Sequence, residues 1–204
     1  MLDNKPIVVE KVAVVDVETT GLSPKFHEVI EIGCILFEQP RVGGRINEIK
    51  IIEEWDCKLS PERIEVADPV ALKINGYGES RWHESLEQKK GLEIFLKKTT
   101  ELTPDPFNEN KSINSIVILG HNIFFDLRML EASYERQGMD YILNKRVIDT
   151  YSFARAVFRD DASQNNFSLP ALCDKFGIVN KNAHSALSDC RATLELYQRL
   201  VGVS

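Results

Sequence analysis

Apolar and polar positions follow two rhythms along the 204 residues. Val12-Ala13-Val14-Val15 is an unbroken apolar run and predicts a buried strand over 12–17. Glu28 to Phe37 alternates loosely and predicts a second strand. Residues 48–58, with Ile49, Ile51, Ile52, Trp55 and Cys57, predict a third, with room for a bulge. Gly21-Leu22-Ser23-Pro24 and Pro40 to Gly44 are short connections of the kind that join an antiparallel meander. Asp68-Pro69 should open a short helix that stops near Asn75-Gly76, and a second helix should cover Leu86 to Lys98. Thr103 to Asn114 is polar, carries two prolines and reads as a solvent loop.

The second half alternates strand and helix. Ile116 to Leu119, ending at Gly120, predicts a buried strand, and 124–137 a helix with Leu127, Leu130 and Tyr134 on one face. Arg146-Val147-Ile148-Asp149 predicts another short strand. Helices follow near Tyr151–Phe158 and Leu169–Phe176, then Ser185–Leu200 with the stripe Leu187, Cys190, Leu194, Tyr197 and Val201. Three strands in a row, then strands alternating with helices, imply an α/β fold with a mixed sheet flanked by helices.

Composition changes this picture little. Hydrophobic residues make up 43% and charged residues 27%, which suits one soluble domain. No apolar stretch nears the roughly 20 residues that span a bilayer. Met1 to Pro6 lacks the opening of a signal peptide, and residues 1–10 are expected to be a loose N-terminal segment. Cys34, Cys57, Cys173 and Cys190 form no CxxC pair, which favours reduced thiols and a cytoplasmic setting. The net charge of −6 argues against tight duplex binding through counterion release. The acidic excess lies wholly in residues 1–125, which hold 15 basic and 21 acidic residues.

Two of those acids stand where a buried strand tolerates them poorly. Asp16 and Glu18 end the first apolar run, and alternation turns residues two apart to one face. Thr19-Thr20-Gly21 then supplies turn chemistry. Paired carboxylates there suit a hard divalent cation. Asp126 follows a strand and begins a helix, and Asp189 lies in the first turns of the last helix with His184 just ahead of it. Each has an ordinary reading as a helix-dipole or capping residue.

Read together, the segments are more specific. Asp16 through Gly21, His121 through Asp126 and His184 through Asp189 resemble the three motifs of the DEDDh-type 3′–5′ exonucleases, the DnaQ-like branch of the ribonuclease H-like superfamily. Position 185 is Ser, where a sister subgroup carries Tyr, so the chain falls on the His side. The resemblance spans about residues 12 to 200. It implies one exonuclease domain over 1–204 whose mixed sheet combines a three-stranded antiparallel meander with parallel strands. It also implies two cations, Mg²⁺ or Mn²⁺, held by Asp16, Glu18, Asp126 and Asp189, with His184 as general base. The implied substrate is a single-stranded or frayed 3′ end of DNA or RNA. A polymerase partner, and a non-catalytic binding module on the same fold, stay open as alternatives.

The remaining candidates carry two readings each. The resemblance implies that the backbone of Thr19, Thr20 and Gly21 contacts the terminal nucleotide; the residues themselves read equally as a tight turn. By the same resemblance, Leu22 is a candidate wedge against the terminal base. Asn122 touches substrate or ties down its loop. Phe124 and Phe125 are expected in the core, His121 against the strand end, and His27 and His83 at the surface. Trp55, Trp82 and Cys190 are expected to pack, although the tryptophans could stack on bases. Arg128, Arg155, Arg159, Lys175 and Lys181 are candidates to guide a strand.

Overall fold

Residue parity along the first strand organises the molecule. In the computed structural model, which describes residues 7–43, 45–46, 48–101, 116–140 and 146–202, β1 runs Ile7–Thr19. Residues 7–10, expected as loose, belong to this strand, because they pair with residues 39–42. β2 is Val29–Val42, β3 Arg45–Ile46, β4 Lys50–Lys58, β5 Val117–Gly120 and β6 Val147–Asp149. Among the described residues these form one mixed sheet in the order β3-β2-β1-β5-β6, with β4 also paired to β2. The β1–β2, β2–β3 and β2–β4 pairs are antiparallel, and β1–β5 and β5–β6 are parallel. The expected bulge sits at Ile52, where Leu36 faces Glu53 but Phe37 faces Ile51.

The helices are α1 Pro69–Asn75, α2 Glu79–Trp82, α3 Gln88–Glu101, α4 Phe124–Arg136, α5 Thr150–Val157, α6 Leu169–Phe176 and α7 Ala186–Val201. Their ends follow local chemistry. Asp68 accepts from the Val70 amide to start α1, Pro69 follows, and Gly76 stops it at φ 64. Ser168 caps α6 in the same way, with Pro170 in its first turn. The stretch expected as a loop over 103–114 lies outside the described residues.

Odd positions of β1 (Ala13, Val15, Val17) join a buried cluster with Leu92 and Phe95 of α3 and Met129, Leu130 and Tyr134 of α4. Even positions Val12 and Val14 join Ile35 and Phe37 against Cys190, Leu194 and Tyr197 of α7. The expected apolar stripe of α7 is therefore its seat on the sheet. Asp16 and Glu18 continue the even series, so they emerge on the face that α7 covers.

Candidate active site

β5 ends at Gly120, just past its Leu119–Val14 pairing, and leaves the edge of β1 open beyond that point. The open amide of Val17 finds its partner in α4. Its N–H donates to Asp126 Oδ1 at 3.0 Å. Asp126 is only 4% exposed, so its carboxylate is clamped between helix start and strand edge rather than merely dressing a helix dipole. Burial pushes it up to about 7, against the opposing pull of the Val17 amide.

The third segment arrives from the other side. One Glu18 oxygen, one Asp189 oxygen and one His184 ring nitrogen all lie within 4.8 Å of one another. Asp189 Oδ2 accepts the His184 amide at 3.2 Å, while Oδ1 accepts the Asn180 side-chain amide. His184 is exposed and sits in the left-handed region at φ 66. It does not cap α7, whose N-cap is Ser185, and the Ser185 side chain makes no capping bond either.

Electrostatics ties the two halves together. Burial raises Asp16 well above the usual carboxylate range, and the charges of Asp126, Asp189, Glu18 and Glu31 push it further. Burial and then Asp189, Glu31 and Asp126 push Glu18 up to about 8, with Arg81 pulling it back. Burial also raises Asp189, against the bonds from Asn180 and His184. All four sequence-predicted acids thus share one charge neighbourhood. A set of carboxylate oxygens whose mutual repulsion a cation would relieve fits a hard divalent ion.

The other candidates separate. Thr20 is fully buried, its N–H donating to Glu28 O, its carbonyl accepting from Asp68 N and its hydroxyl accepting from Glu28 N. Thr19 bonds Gly21 O through its hydroxyl and accepts from Asn75 Nδ2 at its carbonyl. These bonds favour the turn reading for both threonines. Gly21, at φ 155, has the His27 ring 2.5 Å from where a Cβ would stand. His27 is thus a structural residue of the turn, half-buried and accepting the Ser23 amide, rather than a surface residue. Leu22 is 78% exposed at the rim. Asn122, exposed at φ 57, has its amide held by Asp149 Oδ1 at 2.7 Å.

Phe124, expected in the core, is 54% exposed because it opens α4 on the outward side; Phe125 is partly buried against the α3–α4 core. His121 packs at the strand end with Thr150 and Tyr151, where burial lowers its pKa. Trp82 is buried and donates to Ile30 O, Trp55 stacks on Phe95, and Cys190 is buried. His83 is exposed.

Sequence reasoning missed Glu31, Asn180 and Arg81. Glu31 was signalled by an acid set inside the apolar run Val29-Ile30-Glu31-Ile32; it pairs opposite Glu18 and is fully buried. The others act through contacts between segments, which carry no local mark.

The exonuclease family model named RNase T matches residues 13–197. A PolC-type DNA polymerase III from Thermotoga petrophila is 29% identical over 92% of this chain, which spans 12% of that relative. One from Listeria monocytogenes is 25% identical over 92% of this chain and 11% of its own length. The chain is therefore about an eighth as long as these curated relatives. Exonuclease I from E. coli, solved with a dT13 oligonucleotide, superposes with a TM-score of 0.72 at 19% identity, covering 94% of this chain and 41% of that one. Cell-death related nuclease 4 gives 0.73 at 13% identity, over 95% and 64%. Exonucleases of this type use divalent metal ions. Motif order, mixed sheet and family match converge on one assignment: the chain belongs to the RNase T exonuclease family, DEDD-type exonucleases of the ribonuclease H-like superfamily.

Proposed function

We propose that this chain hydrolyses the terminal phosphodiester at the 3′ end of a nucleic acid and releases 5′-mononucleotides. The observation that carries this reading is the convergence of Asp16, Glu18, Asp126 and Asp189 on one charge neighbourhood with His184 at its open side. Asp16, Glu18, Asp126 and Asp189 would hold two divalent cations, Mg²⁺ or Mn²⁺. Such ions would stabilise charge on the attacking and leaving oxygens.

The protein's own groups do the rest. His184, exposed beside Glu18 and Asp189, takes the proton of the attacking water. The water oxygen bonds to phosphorus, the bond to the 3′ oxygen breaks, and that oxygen takes a proton from solvent. Asp126 keeps the end of β1 fixed through the Val17 amide. Leu22, exposed at the rim, is available to meet the terminal base, and Gly21 leaves room for the His27 ring that packs the turn behind it. The exposed side chain of Asn122 is available to substrate, while its loop is tied through its backbone.

The substrate is a single-stranded or frayed 3′ end of DNA or RNA, a reading supported by the exonuclease I complexes with single-stranded DNA. The PolC-type relatives favour a polymerase partner and a proofreading role. The intact set of four acids and a histidine argues against a non-catalytic binding module. Among the described residues no helix is long and apolar enough to cross a membrane. The four free cysteines support a reducing, cytoplasmic setting. Release of a labelled 3′ nucleotide with Mn²⁺, abolished by chelator, tests the activity on matched single-stranded DNA, RNA and mismatched duplex ends. No release from any of them overturns it.

A further inference from the structure

On the sheet face that carries Asp16 and Glu18, β2 presents two unusual partners. Gly33 lies opposite Asp16, and Glu31 lies opposite Glu18. A Cβ on Gly33 would stand 2.4 Å from the carbonyl carbon of Ala186 and 2.5 Å from the Leu187 amide. The first turn of α7 therefore rests directly on the β2 backbone, at the spot beside Asp16. Glu31 is fully buried next to it. Its Oε1 accepts the Ser185 hydroxyl at 3.1 Å, and its Oε2 has no hydrogen-bond partner among the described residues and pairs with Lys58 Nζ at 3.7 Å.

This arrangement is costly and specific. Ser185 is the N-cap of α7, yet its hydroxyl leaves the helix amides and turns to β2 instead. A buried carboxylate with one oxygen outside any hydrogen bond, balanced only by a long ion pair to Lys58, costs stability unless something is gained by its placement. The residue just before Ser185 is His184, held in the left-handed region. Any slack in Ser185 is passed straight to the imidazole.

We propose that Glu31 is a positioning residue: with Ser185 and Gly33 it seats the start of α7 so that His184 stands beside Glu18. The inference rests on the nuclease reading above. It assigns to β2 a part in the reaction that none of the three motifs contains.

The test uses the whole chain, a 3′-labelled oligonucleotide and saturating Mn²⁺. Ser185→Ala should lower kcat by about tenfold, since small misplacements of reacting groups are expensive, with KM within about twofold. Its melting midpoint should stay within about 4 °C of the parent. Ser185→Thr, which keeps the hydroxyl, should recover most of the lost kcat. In a His184→Ala background, Ser185→Ala should change kcat by less than about twofold, because the two residues act as one unit. Glu31→Ala should match Ser185→Ala in kcat, and the Ser185 series decides the matter should Glu31→Ala fail to fold. Equal losses with and without His184, a loss confined to KM, or no recovery by Thr overturns the seat. A parent chain that releases no nucleotide overturns the nuclease reading, whereas an active parent with a fully active Ser185→Ala overturns the seat alone.

Discussion

The two helix starts that deliver acids to this site are built to different standards. Asp126, at the start of α4, is buried and bonded to the Val17 amide of the central strand. Asp189, in the first turn of α7, is partly exposed, and its carboxylate oxygens are occupied by Asn180 and by the His184 amide. One half is fixed by the core. The other is held by a network of its own near solvent, beside the group that would handle protons. In the proposed reaction both halves would hold cations, one from the core and one beside solvent.

Removing charge from the buried half should do most damage. Asp16→Asn or Asp126→Asn is expected to lower turnover by about 10³-fold, the scale of losing one preorganised electrostatic group. Asp126→Asn keeps an oxygen for Val17, so a loss there reports charge rather than fold; activity within tenfold of the parent would erase the distinction between the halves. His184→Ala should cost about 10²-fold in kcat under saturating Mn²⁺. Near-parental turnover would strip the open half of its proton-transfer role.

Stability should expose the same asymmetry without substrate. Glu18 and Asp126, pushed up to about 8 and about 7, bind protons more tightly folded than unfolded. The stability they contribute is complete below the ordinary carboxylate range near pH 4 and is lost as pH rises through 7 to 8. The metal-free protein should therefore melt several degrees lower at pH 8 than at pH 5. Saturating Mn²⁺, which binds the folded site, should raise the melting temperature and flatten that slope, and Asp16→Asn should blunt the rise. A flat metal-free profile would mean that the acids do not share one neighbourhood. Asn180→Ala, touching only the exposed half, should shift Mn²⁺ affinity by no more than about fivefold, the worth of one hydrogen bond, by calorimetry.

The buried half was the more legible in sequence. The apolar run ending in Asp16 and Glu18 fixed their shared face through strand parity alone, and Pro, Gly and Asp placed α1 nearly to the residue. What escaped was information held between segments. Glu31 stood out as an acid inside an apolar run, yet only cross-strand register shows that it faces Glu18. Asn180 bears no local mark, because its partner lies in α7, and Asp149 reads locally as the N-cap of α5 although it also holds the Asn122 amide. Phe124 was misplaced because helical periodicity gives a residue's face but not which turn emerges from the core. β3, two residues long, and α2, a single turn, are too short for periodicity to register.

His184 carries a further consequence of its φ of 66, since side chains with a Cβ resist that conformation. The folded chain tolerates local strain at the very residue it would use for chemistry, a bargain often struck at reactive positions. Glycine at position 184 would release that tension. His184→Gly should thus outlast His184→Ala on heating, by about 1 kcal/mol less what glycine adds to unfolded-chain freedom.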